Sequence, residues 1–90
     1  MTEHQKTFFD GVLAEYAYAE NKHQSWPSGD AVHAASILNE EAGKLTRAAN
    51  DYTFGLLPPT EAGPDLRKYA MRVAAMAMRF CDSLPEYKPL

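Results

Sequence analysis

The sequence predicts an all-α fold, a bundle of three long helices without β-strands. In three segments of the 90-residue chain, apolar residues recur at steps of three and four, the spacing of one face of an α-helix. Clusters of glycine and proline separate these segments, and no stretch alternates apolar and polar residues as a half-buried strand does. We therefore expect helices over about residues 2–24, 30–52 and 64–84.

The first helix is predicted to begin at Thr2. Thr2-x-x-Gln5 matches a capping box, in which a hydroxyl and an amide side chain satisfy the free N–H groups of a helix start. Trp26-Pro27-Ser28-Gly29-Asp30 then breaks the helix, with Ser28 and Asp30 as N-cap candidates for the next one. The apolar face of the first helix is predicted to be Phe9, Val12, Leu13, Tyr16 and Ala19.

The second helix has a regular apolar stripe whose members are spaced 3, 4, 3, 4 and 3 residues apart. Such spacing is typical of a long, nearly parallel contact between two helices. The segment 54–64 that follows is predicted to be a loop, because its two glycines and three prolines disrupt helices. The predicted stripe consists of Ala35, Leu38, Ala42, Leu45, Ala49 and Tyr52.

The third helix is predicted to start near Pro64, since proline is accepted in a first helical turn, and to end near Leu84. Residues 85–90 are expected to form an extended tail. The helix is apolar on a second side as well, which favours more than one neighbour. A chain of this length also builds a thin core, so we expect a homo-oligomer, a dimer or a tetramer. Its two apolar sides are Leu66, Tyr69, Val73, Met76, Phe80 and Leu84, and Ala70, Ala74, Ala75, Ala77 and Met78.

Composition excludes several function classes for this single domain, residues 1–90. The chain has 9 Lys and Arg residues against 12 Asp and Glu, a net charge of −3, whereas nucleic acids and anionic membranes attract a concentrated positive patch. No apolar run approaches the ~20 residues of a membrane span. Cys81 is the only cysteine and has no partner for an internal disulfide. We expect a cytoplasmic protein that binds neither nucleic acid nor membrane.

The most suggestive polar cluster lies on the second helix, at Glu40, Glu41 and Lys44. Carboxylates at helical spacing can bind a divalent cation inside a helical bundle. The simpler interpretation is an i, i+4 ion pair between Glu40 and Lys44 on a solvated face, worth about 0.3–0.5 kcal/mol. Trp26, in the helix-breaking segment, could either stack on a base or anchor the end of the bundle. The local sequence favours the simpler interpretation of the acidic cluster.

Three segments resemble the all-α nucleoside triphosphate pyrophosphohydrolases, the MazG-like superfamily. Residues 34–49 (AASILNEEAGKLTRAA) look like the first metal-binding helix of that family. Residues 22–27 (KHQSWP) are similar to the Lys- and Trp-containing segment before it, and residues 66–80 resemble the second acidic helix. The likeness spans about residues 12–84. It implies a bundle of the MazG-like kind, completed by oligomerisation.

The resemblance also implies a metal site, and this sequence departs from it. The family pairs Glu-Glu-x-x-Glu with Glu-x-x-Asp on the next helix; these acids hold Mg²⁺ while water cleaves the α–β phosphate bond of a nucleotide. Glu40 and Glu41 match the opening pair, whereas the third acid falls on Lys44. The acids of the second motif fall on Tyr69 and Arg72. Lys44 and Arg72 repel a divalent cation.

Two roles remain open for these cations. They form structural ion pairs with Glu40 and Glu41, or they replace the charge of Mg²⁺ and hold a phosphate without a metal. The prediction is a degenerate, non-catalytic domain that keeps a nucleotide or phosphate pocket or serves as an interaction module, with no cofactor. The alternative is an active Mg²⁺-dependent pyrophosphohydrolase, with Glu40 and Glu41 as metal ligands, that releases a nucleoside monophosphate and pyrophosphate. The candidate pocket residues are Glu40, Glu41, Lys44, Tyr69, Arg72, Lys22 and Trp26.

Overall fold

The fold is all-α, as predicted. The computed structural model describes residues 1–22, 26–27 and 29–89, and these contain no β-strand. Helix α1 spans Glu3–Lys22, α2 spans Ala31–Thr53 and α3 spans Pro59–Asp82, followed by a short 3₁₀ turn, Leu84–Glu86. The predicted end of the first helix, at residue 24, lies outside the described residues. Within them, no helix is long and apolar enough to span a bilayer.

Helix α3 is the centre of the molecule. It packs against both α1 and α2, which barely touch each other. Gly11 of α1 lies against Met71, and the Ala19 carbonyl accepts a hydrogen bond from Arg79, so α1 and α3 run in the same direction. The short connection between α2 and α3 makes those two helices antiparallel neighbours. The three helices thus form one layer with α3 in the middle.

Small residues make up most of the buried core. Ala34, Ala62 and Ala75 have no exposed surface, and Val12 is 3% exposed. Among the described residues, no large side chain is completely buried. The larger apolar residues instead lie around the core, half-buried against it: Phe8, Tyr16, Trp26, Ile37, Leu38, Met71, Ala74 and Met78. The helices therefore approach closely over a core of little volume.

Both predicted helix starts that rest on side-chain caps are correct. The Thr2 N–H donates to the Gln5 side chain (2.9 Å) and the Gln5 N–H donates to the Thr2 hydroxyl (3.1 Å), which is a complete capping box. Asp30 caps α2 by accepting from the His33 N–H at 3.1 Å. The other candidate, Ser28, lies outside the described residues.

The predicted apolar stripe of α2 is rotated from the one that is buried. Ala35 and Tyr52 are exposed, whereas Ala34 and Ala48 are buried. Glu41 is half-buried on the same side of the helix as these two alanines. Alanines occur on both sides of α2, so hydrophobicity alone does not show which side is buried. Packing against α3 determines that side.

Helix α3 starts five residues earlier than predicted. Pro58 is extended (φ −57°, ψ 144°), Pro59 is the first helical residue, and the N–H groups of Glu61 and Ala62 both donate to the Pro58 carbonyl. Proline at the first position is favourable because its φ is already helical. Pro64 consequently lies inside the helix. The helix continues through Pro64, and Ala62, in the turn before it, is completely buried.

The tail expected at residues 85–90 is partly ordered against the bundle. It begins in the 3₁₀ turn Leu84–Glu86. Tyr87, which follows, is half-buried, and its ring lies 5.0 Å from that of Phe80. An aromatic residue that packs back on α3 therefore holds the start of the tail in place.

A hydrogen bond joins α1 to the end of α3. The Tyr16 hydroxyl donates to the Asp82 carboxylate. This bond is the main cause that raises the pKa of Tyr16 to about 12, with desolvation and the charge of Asp82 adding to it. Ionisation of the phenol would remove the donor and bring two negative charges together.

Replacing Pro64 with alanine should stabilise the fold. Alanine restores an N–H donor for the Thr60 carbonyl and removes the clash of the proline ring, so the free energy of unfolding should rise by about 1–3 kcal/mol in urea denaturation. Pro59→Ala is the matched control, because proline is favourable at the first helical position, and it should give no such gain. Equal effects of the two substitutions would mean that α3 does not start at Pro59.

The Tyr16–Asp82 hydrogen bond should be visible in a pH titration of tyrosinate absorbance. One of the five tyrosines should ionise near pH 12 in the native chain, and this late step should disappear in Tyr16→Phe. Because the folded pKa exceeds the unfolded value of about 10, the bond stabilises the fold fully below pH ~10, and this stabilisation is lost as the pH rises through the folded value. Asp82→Asn should move the step toward lower pH. If the late step survived in Tyr16→Phe, another tyrosine would be responsible for it.

Candidate functional site

A cleft of about 450 Å³ lies between α1 and α2, with α3 as its floor. It exists because α1 and α2 both pack on α3 and leave a gap between themselves. Ala75 and Met76 form the apolar base, and charged side chains stand on the walls. Six of the seven candidate residues line this cleft: Lys22, Trp26, Glu40, Glu41, Lys44 and Arg72.

Tyr69, the seventh candidate, lies elsewhere. It lines a separate hollow of about 100 Å³ together with Asp51 and Asp65. The Tyr69 ring does not line the cleft. The Arg72 guanidinium, which does, lies 5.6 Å from the centre of that ring. Tyr69 and Arg72 are one helical turn apart, but only Arg72 points between α1 and α2.

Glu41 and Lys44 form the ion pair of the α2 wall. Lys44 Nζ lies 3.3 Å from Glu41 Oε1, so Lys44 pairs with the acid three residues before it. The simpler interpretation of the sequence had predicted a pair between Lys44 and Glu40. The other carboxylate oxygen, Glu41 Oε2, is buried and accepts no hydrogen bond from any residue that the structure describes. Glu40 is exposed at the rim. Burial of an unsatisfied acceptor is unfavourable, so this oxygen is a place where a donor would be stabilised.

Arg72 pairs with α1, not with the acids of α2 expected from the sequence. Its Nε lies 3.5 Å from Glu15 Oε2. Glu15 also lines the cleft, although it is not among the site residues predicted from the sequence. It lies three residues after Val12 and four before Ala19, both of which are buried, so helical spacing alone places it beside the α1–α3 contact.

Trp26 is held at the cleft by a cation over the face of its indole and by a hydrogen bond from its N–H. The Arg79 guanidinium lies 4.7 Å from the centre of the indole, and the indole N–H donates to the Tyr87 hydroxyl at 3.1 Å. Arg79 is only 7% exposed, and its Nη1 also donates to the Ala19 carbonyl at 3.4 Å. No local sequence pattern predicts these contacts of Arg79, because Ala19 and Trp26 lie far from it in the sequence.

Positive charge exceeds negative charge around the cleft by one. Its four cations are Lys22, Lys44, Arg72 and Arg79, and its three carboxylates are Glu15, Glu40 and Glu41. Two of the carboxylates are already neutralised by ion pairs. Lys22 Nζ donates to the neutral Tyr18 hydroxyl at 2.9 Å and forms no ion pair with another residue that the structure describes. Such a lining favours an anion.

The residues present do not fit a magnesium ion. Mg²⁺ needs several oxygen ligands in octahedral geometry, and among the described residues no group of three or more His, Cys, Asp or Glu side chains converges to hold a metal. Glu40 and Glu41 are adjacent and diverge by about 100° around the helix. The ammonium group of Lys44 occupies the neighbourhood of Glu41.

Comparison with known proteins found no matching family model, no matching curated protein and no matching solved structure. The likeness to MazG-like pyrophosphohydrolases therefore stays a prediction from the sequence.

Removing the Tyr87 hydroxyl should destabilise the packing of Trp26. Tyr87→Phe keeps the ring contact with Phe80 but removes the acceptor of the indole N–H, so stability should fall by about 1 kcal/mol. Trp26 is the only tryptophan, and its emission should shift in the same variant. Urea unfolding followed by fluorescence measures both effects. Tyr52→Phe, at an exposed position, is the control. Equal stability and equal emission of the two variants would contradict the hydrogen bond between Trp26 and Tyr87.

Proposed function

We propose that this protein is a degenerate, non-catalytic relative of the MazG-like pyrophosphohydrolases whose cleft binds a nucleotide without a metal ion. The observation that supports this most is the cleft itself, where four cations and an indole surround about 450 Å³. That volume is in the range of small-molecule sites, roughly 300–1,000 Å³. The proposal includes a cytoplasmic location and assembly into a homo-oligomer.

Phosphate oxygens suit the cationic walls. Arginine presents a planar set of donors that matches phosphate, and lysine adds a compact charge. Arg72 reaches into the cleft from its floor, and Lys22 and Lys44 stand on opposite walls. In this arrangement the cations provide the charge that Mg²⁺ provides in the resembled family.

The unsatisfied oxygen of Glu41 favours a nucleotide over bare phosphate. A carboxylate accepts hydrogen bonds and repels an anion next to it, so Glu41 Oε2 needs an N–H or O–H donor. A nucleobase or a ribose carries several such donors at fixed positions apart from the phosphates, whereas inorganic phosphate and pyrophosphate at neutral pH offer only the O–H groups of their protonated forms. The ligand is therefore expected to place its phosphates toward Lys22 and Arg72 and a donor group toward Glu41.

Catalysis by the family's mechanism is not supported by this arrangement. The acids that a rearranged active site would need, such as Asp51 and Asp65, line the smaller hollow beside Tyr69 rather than the cleft. Glu15 and Glu41 are committed to ion pairs with Arg72 and Lys44.

Nucleotide binding should be measurable by titration calorimetry in EDTA. We expect nucleoside mono- and triphosphates to bind more tightly than pyrophosphate, and binding to weaken as salt rises. Arg72→Gln should weaken it about tenfold or more, the effect of one lost charge-assisted hydrogen bond. Its ion pair with Glu15 is partly exposed to solvent and contributes about 1 kcal/mol or less, so this variant should fold. Arg67→Gln, on an exposed residue of the same helix outside the cleft, is the matched control.

Two results would contradict the proposal. Release of pyrophosphate from nucleoside triphosphates in Mg²⁺ or Mn²⁺ would mean that the alternative, an active pyrophosphohydrolase, is correct. Absence of binding by every nucleotide, with no rise in melting temperature, would mean that the bundle is a ligand-free structural module.

A further inference from the structure

The ion pair on the α2 wall offers a ligand three polar atoms in a fixed order. Lys44 Nζ lies 3.3 Å from Glu41 Oε1, and Glu41 Oε2 is the oxygen on the other side of the same carboxylate. A lysine ammonium group only donates hydrogen bonds, whereas an ionised carboxylate only accepts them. The order is therefore one donor followed by two acceptors. A ligand that matches it needs an acceptor followed by two donors.

Among the common nucleobases, only guanine has this order of groups on its Watson–Crick edge. Its O6 is an acceptor, and the neighbouring N1–H and N2 amino group are both donors. Cytosine and adenine instead place an acceptor next to their amino donor. Uracil and thymine have an acceptor on each side of N3–H, so one carbonyl oxygen would meet a carboxylate oxygen and be repelled by it.

Burial of Glu41 identifies the contact that should discriminate most between bases. The Glu41 side chain lines the cleft and is 19% exposed, and its Oε2 accepts no hydrogen bond from the described residues. The N2 amino group of guanine, at the end of the matching edge, would supply that donor. A base without this group leaves the oxygen unsatisfied, which is unfavourable for a buried acceptor.

The surroundings of the ion pair suit the flat ring of a base. Ile37 lies four residues before Glu41, one turn away on the same wall, and Met76 lies on the floor of the cleft. These apolar side chains can pack against the faces of the ring, while its polar edge meets Lys44 and Glu41. Small-molecule sites commonly combine an apolar lining with a few polar groups that fix orientation.

We propose that the cleft is specific for guanine nucleotides and that Glu41 and Lys44 determine this specificity. Lys44 donates to O6 of the base. Glu41 accepts from N1–H at Oε1, which has a second lone pair beside the one that Lys44 uses, and from the N2 amino group at Oε2. The phosphates lie toward Lys22 and Arg72. This inference rests on the proposed function, since it assigns the base of the nucleotide that the cleft binds.

Titration calorimetry of the native chain in EDTA tests the specificity with three nucleotides. Guanosine monophosphate should bind about tenfold or more tightly than inosine monophosphate, which lacks only the N2 amino group. Adenosine monophosphate, which has an amino donor where guanine has O6, should bind more weakly still. All three carry the same phosphate and ribose, so the differences report on the base alone. This comparison does not depend on the folding of a variant.

Glu41→Gln tests the assignment to Glu41. The amide has one donor and one acceptor side by side, the arrangement that pairs with adenine, so the preference should change from guanosine to adenosine monophosphate. Glu61→Gln makes the same substitution at an exposed residue of α3 that does not line the cleft, and it should keep the guanine preference. Circular dichroism verifies that both variants remain helical.

The possible results separate this inference from the proposed function. Equal affinity of the native chain for the three nucleotides, or tightest binding of another base, would overturn the guanine specificity and leave nucleotide binding in place. A guanine preference that persists in a folded Glu41→Gln variant would overturn the role of Glu41. Absence of binding by every nucleotide would overturn the proposed function and this inference together.

Discussion

The packing of α1 and α2 on one small-residue helix, α3, is the constraint on which the rest of the structure depends. Ala75 is completely buried, and the thioether end of Met71 lies against Gly11 in the space that a Cβ atom would occupy. Each outer helix packs on α3, whereas the described residues of α1 and α2 barely touch each other. The cleft between α1 and α2 is a consequence of this single layer.

Electrostatic balance decides what the cleft can hold. Each ion pair in it joins a carboxylate to a cation of moderate exposure, so neither pair adds much stability, and neither carboxylate is free to bind a metal. Among the described residues, Lys22 is a cation of the cleft without an ion pair, and Glu41 Oε2 is a buried acceptor without a donor. An anion that also carries a hydrogen-bond donor satisfies both, and this combination is the chemical reason to prefer a nucleotide to a simple anion.

Local features of the fold could be predicted from the sequence, whereas contacts between helices could not. Thr2 with Gln5, and Asp30, specify helix starts through hydrogen bonds to their own neighbours, so the pattern is complete within a few residues. The predicted start of α3 is wrong by five residues because proline can either break or begin a helix, and Pro59 begins one. Three further features depend on contacts between helices and could not be predicted locally. They are the side of α2 that is buried, the pairing of Arg72 with Glu15, and the contact of Arg79 with the Trp26 ring.

The geometry of the layer sets a condition on ligand binding. A ligand held between Lys22 on α1 and Lys44 on α2 needs a fixed distance between two helices that barely touch each other. Within the described residues, the separate contacts of α1 and α2 with α3 set that distance. A ligand that spans both walls would therefore have to order them, and this ordering would reduce its affinity.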